Sequence, residues 1–420
     1  MKVIVLGAGV IGVTSAYFLA KAGHEVVVID KNSAAAMGCS YANGGQLSYS
    51  HIETWAAKNS LLTISKALFK PNSFLSISDF FNKKFLRWAW HFYKNSNPKI
   101  AQQNSEKLFK ISSHSKEVMD QILKEEPDLK FNYKKSGILH FYRNVKKFND
   151  AAKEADISSL IGCDVQILNA EECVKKEPTL VRLFDEKKLA GGIFYDIDAS
   201  GDCFLFTKFL EKICREKYGV VFQYEADIKN ILTNNKKITG INTGKEVFVA
   251  DKYVYALGAM GDKLLSGIKI DSKIYPLKGY SLSIAANQEF IAPQIALTDP
   301  ENKIVYSRVG NIFRAAGSIE VCGLRANKNK KHIEFLSNVV RSSFSDFGNF
   351  SEVKEWFGFR PFRANSIPLI CEVKKYENFF INAGHGSLGW TLSAASGEIL
   401  AGLVDGKINR EFAFLDDELA

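Results

Sequence analysis

Short apolar runs and glycine turns alternate along the first thirty residues. The run Val3–Leu6 is rich in β-branched residues and ends at Gly7, which is typical of a strand buried on both faces of a parallel sheet. An apolar stripe over residues 10–22 predicts a helix that Gly23 ends. A second apolar run over residues 24–30 predicts another buried strand. The pattern therefore predicts a βαβ unit.

The turn inside this unit has the spacing GxGxxG, and the second strand ends in the acid expected for dinucleotide binding. Gly7 permits the tight turn, Gly9 leaves room for a pyrophosphate, and Gly12 lets the helix pack closely on the strand. Free N–H groups at the helix start would face the phosphates. Asp30 ends the second strand and can accept hydrogen bonds from ribose hydroxyls. The residues expected at the dinucleotide are Val5, Gly7, Ala8, Gly9, Val10, Ile11, Gly12, Asp30 and Lys31.

Three later segments add to this prediction. Residues 38–47 are small and polar, which suits either a loop approaching a cofactor or an ordinary surface loop. Residues 219–258 read as a short meander followed by a buried strand that ends at Gly258. Residues 378–391 read as a strand and a glycine-rich turn, with a helix following to about Leu403. Such a helix start is a second anion-binding end. Further strand-like runs are Tyr280–Ile284, Lys303–Arg308, Ile312–Ala316 and Glu352–Phe359.

The composition is that of an ordinary folded protein. The 420 residues are 46% hydrophobic and 24% charged, which excludes a disordered chain, a collagen-like chain and a coiled coil. At roughly 150 residues per domain, two domains are the simplest division. No apolar run approaches the ~18–20 residues of a spanning helix. The net charge of +9 is spread along the chain and can suit an anionic substrate or an anionic membrane surface.

Cysteine usage and the N-terminus predict a cytoplasmic protein. The seven cysteines include no CxxC pair and no metal-ligand spacing, so neither a disulfide framework nor a metal site is expected. The N-terminal apolar run is broken by glycines and lacks the cleavage signature of a signal peptide. No recognised nucleic-acid-binding fold or aromatic platform accompanies the basic clusters, so no nucleic-acid partner is expected.

Several motifs together resemble one known family. They are GAGVIGV and AGHEVVVID near the N-terminus, SYANGGQLS at 40–48, SGDCFLFT at 200–207, YPLKGYSLS at 275–283, GFRP at 358–361 and NAGHGSLGWT at 382–391. In this order they resemble the FAD-dependent amino-acid oxidoreductases of the D-amino-acid oxidase type. Within that family they are most similar to the bacterial D-amino acid dehydrogenase small subunits. The resemblance extends from residue 1 to about 405.

The resemblance implies an α/β protein of two domains. A Rossmann-like FAD-binding domain is expected at 1–50, 150–265 and 360–415, because the cofactor-like segments lie far apart. A substrate domain with a mixed, mostly antiparallel sheet is expected at 51–149 and 266–359, covering the isoalloxazine ring of non-covalent FAD. The further cofactor residues expected are Ser40, Asn43, Gly44, Gln46, Ala256, Gly258, Gly386, Leu388, Gly389, Trp390 and Thr391.

The resemblance also implies oxidative deamination of D-amino acids to 2-oxo acids and ammonia. A hydride passes from Cα to flavin N5, and the electrons go to a non-oxygen acceptor such as a quinone or a carrier. The alternatives are a glycine, sarcosine or hydroxyproline-type amine oxidase or dehydrogenase, and a non-catalytic FAD-binding subunit. The family usually follows its GxRP motif with a Pro-Asp-Gly type turn. Residues 362–368 lack the Asp-Gly and add Arg363, which leaves the identity of the substrate open.

Three residues are the catalytic candidates. The arginine of the GFRP motif, Arg360, would bind the substrate carboxylate in a bidentate manner, and the alternative is a structural ion pair. Tyr280 can add a second carboxylate contact. His385 can polarise the flavin or orient the substrate, or can equally be a packed histidine. Backbone N–H groups over 386–389 would face the flavin pyrimidine edge and stabilise its negative charge.

Residues 61–95 mix aromatic and basic side chains, and two interpretations fit them. One is an interfacial amphipathic element that makes peripheral contact with the cytoplasmic face of the inner membrane. The other is a pair of helices that cover the substrate sheet and extend their lysines into solvent. The basic residues of this stretch are Lys66, Lys70, Lys83, Lys84 and Arg87.

Overall fold

The computed structural model describes residues 1–50, 54–56, 64, 73–159, 165–286, 292–344, 352–407 and 410–415. Its helices are α1 (Val10–Lys21), α2 (Lys83–Asn95), α3 (Pro98–Glu125), α4 (Val145–Ser159), α5 (Ala170–Lys176), α6 (Val181–Asp185), α7 (Cys203–Tyr218), α8 (Asp262–Gly267), α9 (Lys330–Ser343) and α10 (Gly389–Val404). Short 3₁₀ turns occur at Pro178–Leu180 and Arg410–Leu415.

The strands are β1 (Lys2–Leu6), β2 (Glu25–Ile29), β3 (Gln46–Leu47), β4 (Leu75–Ile77), β5 (Ile138–Tyr142), β6 (Val165–Asn169), β7 (Gly191–Tyr195), β8 (Ala199–Ser200), β9 (Val221–Gln223), β10 (Asn230–Asn234), β11 (Lys237–Asn242), β12 (Val247–Phe248), β13 (Lys252–Tyr255), β14 (Ile274–Ala285), β15 (Ala296–Asp299), β16 (Ile304–Val309), β17 (Ile312–Val321), β18 (Lys354–Arg363), β19 (Leu369–Glu372) and β20 (Phe379–Ala383).

The first layer is a six-stranded sheet in the order β19-β20-β13-β1-β2-β9. All of its strands run parallel except the edge strand β19. The βαβ unit is confirmed, because β1 and β2 pair in parallel and α1 lies between them in the chain. The unbroken apolar runs follow from this position, since residues 3–6 are fully buried in the centre of the sheet.

Four helices share the core on one side of this sheet. Apolar side chains of α1, α3, α7 and α10 pack together there, including Tyr17, Leu108, Leu210 and Leu400. Helices α1 and α10 touch through their backbones, because a Cβ added at Gly397 would lie 2.7 Å from the carbonyl oxygen of Thr14. This close contact brings the N-terminal ends of α1 and α10 towards the same cavity.

The second layer is a nine-stranded sheet, ordered β18-β14-β17-β16-β15-β5-β7-β6, with β4 paired to β17. Its pairs are antiparallel apart from β15 with β5 and β17 with β4. Helix α9 packs over one face, on a core that includes Leu282, Phe313 and Leu336. The opposite face meets the loop 38–46, since the Ser281 hydroxyl donates to the carbonyl oxygen of Ala42 at 2.8 Å. The two-layer mixed α/β fold is therefore as predicted.

The strand pairing divides the chain differently from the predicted domain boundaries. Strands β6 and β7 lie within 150–265, yet both belong to the nine-stranded sheet. Helix α3 lies within 51–149, yet its apolar face packs in the core of the first layer through Ile111, Val118 and Ile122. The amphipathic pattern of α3 marks a buried face but does not identify the sheet that covers it.

Helix α2 packs against the nine-stranded sheet with one face only. Phe85 and Trp88 contact the ring of Tyr275, as expected for a helix that covers the sheet. The other face exposes Trp90 and Tyr93 to solvent, at 55% and 57% of their surface. Residues 61–63 and 65–72 of the stretch 61–95 lie outside the described residues. No helix in the described part of the chain is long and apolar enough to cross a membrane.

Candidate active site

A cavity of about 1390 Å³ lies between the two layers and brings the three cofactor-like segments together. The candidate residues that line it are Gly7, Gly9, Val10, Ile11, Asp30, Lys31, Ser40, Asn43, Gly44, Gln46, Ala256, Gly258, Tyr280, Arg360, His385, Gly386, Leu388, Gly389, Trp390 and Thr391. Val5, Ala8 and Gly12 do not line it. They are covered because β1 is a central strand and because a Cβ at Gly12 would lie 1.8 Å from the carbonyl oxygen of Gly7.

The glycine turn has the shape that its spacing predicts, with one difference. Gly7 has φ +106°, in the region that favours glycine, and this turn leads directly into α1. A Cβ added at Gly9 would approach only Ser40 Oγ, at 3.6 Å, so the space above Gly9 is open. We predicted a free N–H at Val10, but this group donates to Ser40 Oγ at 3.0 Å. The N–H groups of Ile11 and Gly12 come next in the first turn, where a helix provides no acceptor.

Asp30 ends β2 at the cavity and orders the turn beside it. Its Oδ2 accepts from the Ala8 N–H at 2.7 Å, and its Oδ1 accepts from the backbone N–H and the side-chain amide of Asn32 at 2.8 Å each. A carboxylate has about four lone-pair sites, so acceptor capacity remains. The neighbouring Lys31 is exposed at the cavity edge.

The loop 38–47 is bound to the nine-stranded sheet rather than exposed as a surface loop. Gln46 donates to the Leu297 carbonyl oxygen at 2.9 Å and accepts from the Thr298 hydroxyl at 3.2 Å. Asn43 Oδ1 accepts from the N–H of Gly45 at 3.0 Å. The side chains of Gln46 and Asn43 therefore hold the loop, and both also line the cavity, so their contact with a cofactor stays a prediction. Sequence composition does not show whether a side-chain amide binds its own loop or contacts a cofactor.

The turn 384–391 supplies a second helix start at the cavity. The N–H of Gly386 donates to the Pro361 carbonyl oxygen and that of Leu388 to the His385 carbonyl oxygen, both at 2.9 Å. These two groups are therefore engaged, contrary to the expectation for 386–389. The N–H groups available at this end are those of the first turn of α10, beginning at Gly389.

Arg360 lies on β18 and faces the cavity. Its Nη1 donates to the Ser318 carbonyl oxygen at 3.4 Å, and no Asp or Glu in the described ranges lies within ion-pair distance. Burial lowers the pKa of the guanidinium, and the nearby Cys39 opposes this. Against the alternative of a structural ion pair, Arg360 is a cation without a carboxylate partner among the described residues.

Tyr280 is among the residues that line the cavity, but its ring stacks on His332 of α9 and its hydroxyl lies on that side. The hydroxyl donates to the Glu320 carboxylate and accepts from the N–H of Asn329 at 3.3 Å. Lys278, fully buried, forms an ion pair with Glu320 at 3.0 Å on the same side. Burial, followed by the bond to Glu320, raises the pKa of Tyr280. This geometry differs from the predicted role, because the hydroxyl points towards α9 and away from the space beside Arg360.

His385 is a buried, neutral residue. Its Nε2 shares a hydrogen bond with Ser396 Oγ at 2.9 Å, and only 2% of its surface is exposed. Burial lowers its pKa to about 3. Of the two predicted roles, this environment favours the packed histidine that supports the turn 384–391.

Arg363, which raised the question of a second cation at the site, turns away from the cavity. Its Nη1 donates to the Ile367 carbonyl oxygen at 2.8 Å, and it does not line the cavity. The residues that replace the usual Asp-Gly therefore place no second guanidinium beside Arg360.

The chain matches the family described as FAD dependent oxidoreductase over residues 2–403. The chain belongs to this family. The D-amino acid dehydrogenase of Neisseria meningitidis is 37% identical over 407 residues, which are 97% of this chain and 96% of that protein. A D-amino acid dehydrogenase of Vibrio vulnificus is 32% identical over 416 residues, which are 99% of both proteins.

Solved structures share the fold of this oxidoreductase. Glycine oxidase from Bacillus cereus superposes with a TM-score of 0.75 at 20% identity and covers 100% of this chain and 98% of that one. L-α-glycerophosphate oxidase from Mycoplasma pneumoniae, solved with FAD bound, superposes with a TM-score of 0.69 at 17% identity, covering 96% of this chain and 94% of that one. The shared fold agrees with the two layers described above.

The cavity of this FAD-dependent oxidoreductase fits its cofactor. The space over Gly9 is open, and two long helices, α1 and α10, begin at the cavity with N–H groups that have no intrahelical acceptor. Strands of the nine-stranded sheet, among them β14, β17 and β18, also line the cavity. No cluster of metal-ligating side chains occurs within the described ranges.

Sequence reasoning missed several residues at the site. Gly279 on β14 and Trp356 on β18 line the cavity near Arg360, with Gly279 paired to Gly358, which lies between Trp356 and Arg360 on β18. Asp198 accepts hydrogen bonds from the N–H groups of Tyr49 and Ser50 directly after the loop 38–47. The signal for Gly279 is its position inside an apolar strand, where glycine marks a close approach of another group.

Proposed function

We propose that this oxidoreductase is a D-amino acid dehydrogenase, which converts D-amino acids to 2-oxo acids and ammonia. The observation that carries the proposal is Arg360, a guanidinium at the cavity without a carboxylate partner among the described residues. An amino-acid carboxylate offers the two parallel acceptors that arginine binds best. The choice of D-amino acids rests on the relatives that match over nearly the full length, which are named D-amino acid dehydrogenases.

The residues of the chain bind and orient the substrate. Arg360 holds the carboxylate, so that the Cα–H bond has a fixed direction in the cavity. The imidazole of His385 is too weak a base to deprotonate the substrate, because its pKa is about 3. In the proposed reaction the substrate binds with a neutral amine, whose lone pair assists the loss of hydride from Cα. Water then hydrolyses the resulting imine.

FAD supplies the hydride acceptor when it is bound. The turn 7–12 would hold the pyrophosphate and Asp30 the ribose. The loop that contains Ser40, Asn43, Gly44 and Gln46, together with the start of α10, would surround the ring. The N–H groups at the start of α10 would favour negative charge there, as any helix start does.

The electrons would pass to a quinone or carrier at a membrane surface. The exposed face of α2 and the turn before it support this contact, since Phe81 is 96% exposed and Leu86, Trp90 and Tyr93 are each more than half exposed. Lys94 Nζ lies 5.1 Å from the centre of the Trp90 ring, so a cation borders the aromatic face. Aromatic side chains flanked by basic residues are suited to the interface of an anionic bilayer. The protein would then lie on the cytoplasmic face of the membrane.

Anaerobic flavin bleaching tests the proposed reaction. The purified holoenzyme is mixed with a panel of D-amino acids, their L enantiomers, glycine and sarcosine. We expect D-amino acids to bleach the flavin and the L enantiomers to leave it oxidised. Faster bleaching by glycine or sarcosine would favour the alternative amine oxidase. A flavin that no member of the panel bleaches would favour a non-catalytic subunit.

Vesicle sedimentation tests the membrane contact. The holoenzyme should sediment with phosphatidylglycerol-containing vesicles and should do so less with pure phosphatidylcholine. The double variant Phe81→Ser, Trp90→Ser should lose most of this binding, because the apolar contribution is removed. Val247→Ser is the control, since Val247 is an apolar residue that is half exposed on the small three-stranded sheet, away from α2. Equal sedimentation of the double variant and the control would contradict the assignment to α2.

A further inference from the structure

We propose that Gly279 is a positioning residue for substrate binding, which sets the place of the carboxylate by letting the Arg360 guanidinium lie flat across β14. The inference deepens the proposed function and rests on it. It concerns a residue that touches Arg360 and acts through it.

The strand register brings Gly279 under the guanidinium. Strands β14 and β18 pair antiparallel, with Leu277 opposite Arg360 and Gly279 opposite Gly358. A Cβ added at Gly279 would lie 2.4 Å from Arg360 Cζ, 2.5 Å from Nη2 and 2.8 Å from Nε. These distances are shorter than any ordinary contact of a Cβ atom. Only glycine at 279 therefore permits this position of the guanidinium.

The neighbouring strand fixes the guanidinium from a second direction. Its Nη1 donates to the carbonyl oxygen of Ser318, which has φ +60° and sits in β17 next to β14. The Ser318 hydroxyl donates to the Phe74 carbonyl oxygen at 3.0 Å and shares a hydrogen bond with His332. These bonds stabilise a backbone conformation that a serine rarely adopts. The Ser318 carbonyl and the open surface at Gly279 together define one place for the charge.

A methyl group at 279 would move the arginine rather than unfold the strand. The atoms it would meet are the flexible end of Arg360, and the φ of Gly279 lies outside the left-handed region. The guanidinium would have to move away from β14 by an ångström or more. Displacement of a binding group by ~1 Å can cost up to ~100-fold in rate. Because the carboxylate is common to all amino acids, the loss would be independent of the substrate side chain.

Steady-state kinetics of Gly279→Ala in the holoenzyme test the proposal. With D-alanine and one bulky D-amino acid, KM should rise about tenfold or more for both, while kcat changes less. FAD content and thermal midpoint should match the wild type. Gly267→Ala is the matched control, because Gly267 is exposed, has an ordinary φ and has no atom within 4 Å of an added Cβ. The control should leave both parameters unchanged.

A double-mutant cycle with Arg360→Ala decides whether Gly279 acts through the arginine. Adding Gly279→Ala to Arg360→Ala should cost nothing further, whereas independent roles would give effects that add. Propionate binding, followed by the flavin spectrum, should weaken in both single variants and in the double variant alike. A Gly279→Ala enzyme with wild-type KM, or additive losses, would overturn the proposal while D-amino acid turnover by the wild type still stands. No turnover by the wild type would overturn the proposed function instead.

Discussion

Three buried or half-buried arginines near the cavity have different surroundings, and these surroundings separate their roles. Arg363 donates to the Ile367 carbonyl oxygen, and Arg314 donates to the Ser283 hydroxyl at 3.3 Å and to the Asn43 carbonyl oxygen at 3.5 Å. Neither lines the cavity, whereas Arg360 does. Sequence alone identified Arg360 through its motif. It left open whether Arg363 adds a second cation at the site, because which face of a strand borders the cavity depends on how the sheet is covered.

Replacing Arg360 should remove substrate binding without removing FAD. Arg360→Ala leaves a substrate carboxylate in a desolvated site, which typically costs ~2–5 kcal/mol, or about thirtyfold to several thousandfold in kcat/KM. Arg360→Lys should recover only part, because an ammonium cannot form two parallel bonds. Steady-state kinetics and the flavin spectrum measure both properties. A folded, yellow Arg360→Ala enzyme with wild-type kcat/KM would contradict the role.

Replacing His385 should change how stability depends on pH. The folded-state pKa of about 3 lies below the usual value of ~6.5, so between these values the unfolded chain binds a proton that the folded chain does not. His385 therefore lowers stability as the pH falls from about 6.5 towards 3, by up to ~1.4 kcal/mol per pH unit. His385→Gln keeps a hydrogen-bonding partner for Ser396 without this titration.

Urea unfolding between pH 6.5 and 4.5 measures the effect of His385→Gln. The variant should show a shallower decline of unfolding free energy than the wild type. His114→Gln is the control, because the hydrogen bond to Glu398 raises the pKa of His114, so it is protonated in both states at low pH. Parallel pH profiles for His385→Gln and wild type would show that His385 is not buried in its neutral form.

At the scale of the element, the glycine turn and α1 show how spacing encodes a binding site. Their bounds, φ angles and close approaches were predictable because glycine allows only a few uses inside a strand–turn–helix unit. The partners of Ser40, Asn43 and Gln46 were not predictable. Short polar side chains satisfy local backbone groups or a ligand equally well, and the choice depends on strands distant in the sequence.

Glycine substitutions in the turn should separate cofactor binding from folding. The protein itself tolerates a Cβ at Gly9, since Ser40 Oγ would lie 3.6 Å away. Gly9→Val should therefore yield folded but largely FAD-free protein, because the branched side chain occupies the space for the pyrophosphate. Gly12→Ala should instead reduce soluble yield, because its Cβ would lie 1.8 Å from the Gly7 carbonyl oxygen. Absorbance at 450 nm and far-UV circular dichroism measure the two outcomes, and normal flavin content in Gly9→Val would disprove the assignment.

At the scale of the whole molecule, the chain crosses between the two layers more often than its motifs indicate. The parallel βαβ unit was predictable from its buried apolar runs and glycine turn, whereas the mixed character of the second sheet was implied by the family resemblance. The placement of α3 and of strands β6 and β7 was not predictable. The layer that buries α3 is determined by contacts with α1 and α10, which are distant in the sequence, and β6 and β7 join the large sheet through their pairing with each other and with β5.

A single buried carboxylate joins the layers where the chain passes between them, and its removal should destabilise the whole protein. Asp198 follows β7 of the large sheet, is fully buried, and accepts from the N–H groups of Tyr49 and Ser50 at 2.8 and 2.9 Å and from the Ser50 hydroxyl at 2.9 Å. Asp198→Ala leaves buried donors without an acceptor, at ~1–3 kcal/mol each. From the two backbone N–H groups alone, we expect the free energy of unfolding to fall by about 2–6 kcal/mol, with partial recovery in Asp198→Asn. Ser50→Ala, which removes one donor and keeps the carboxylate, should cost ~1 kcal/mol.

Urea unfolding of the three holoenzymes gives these values, and an Asp198→Ala protein as stable as Ser50→Ala would show that Asp198 does not join the layers.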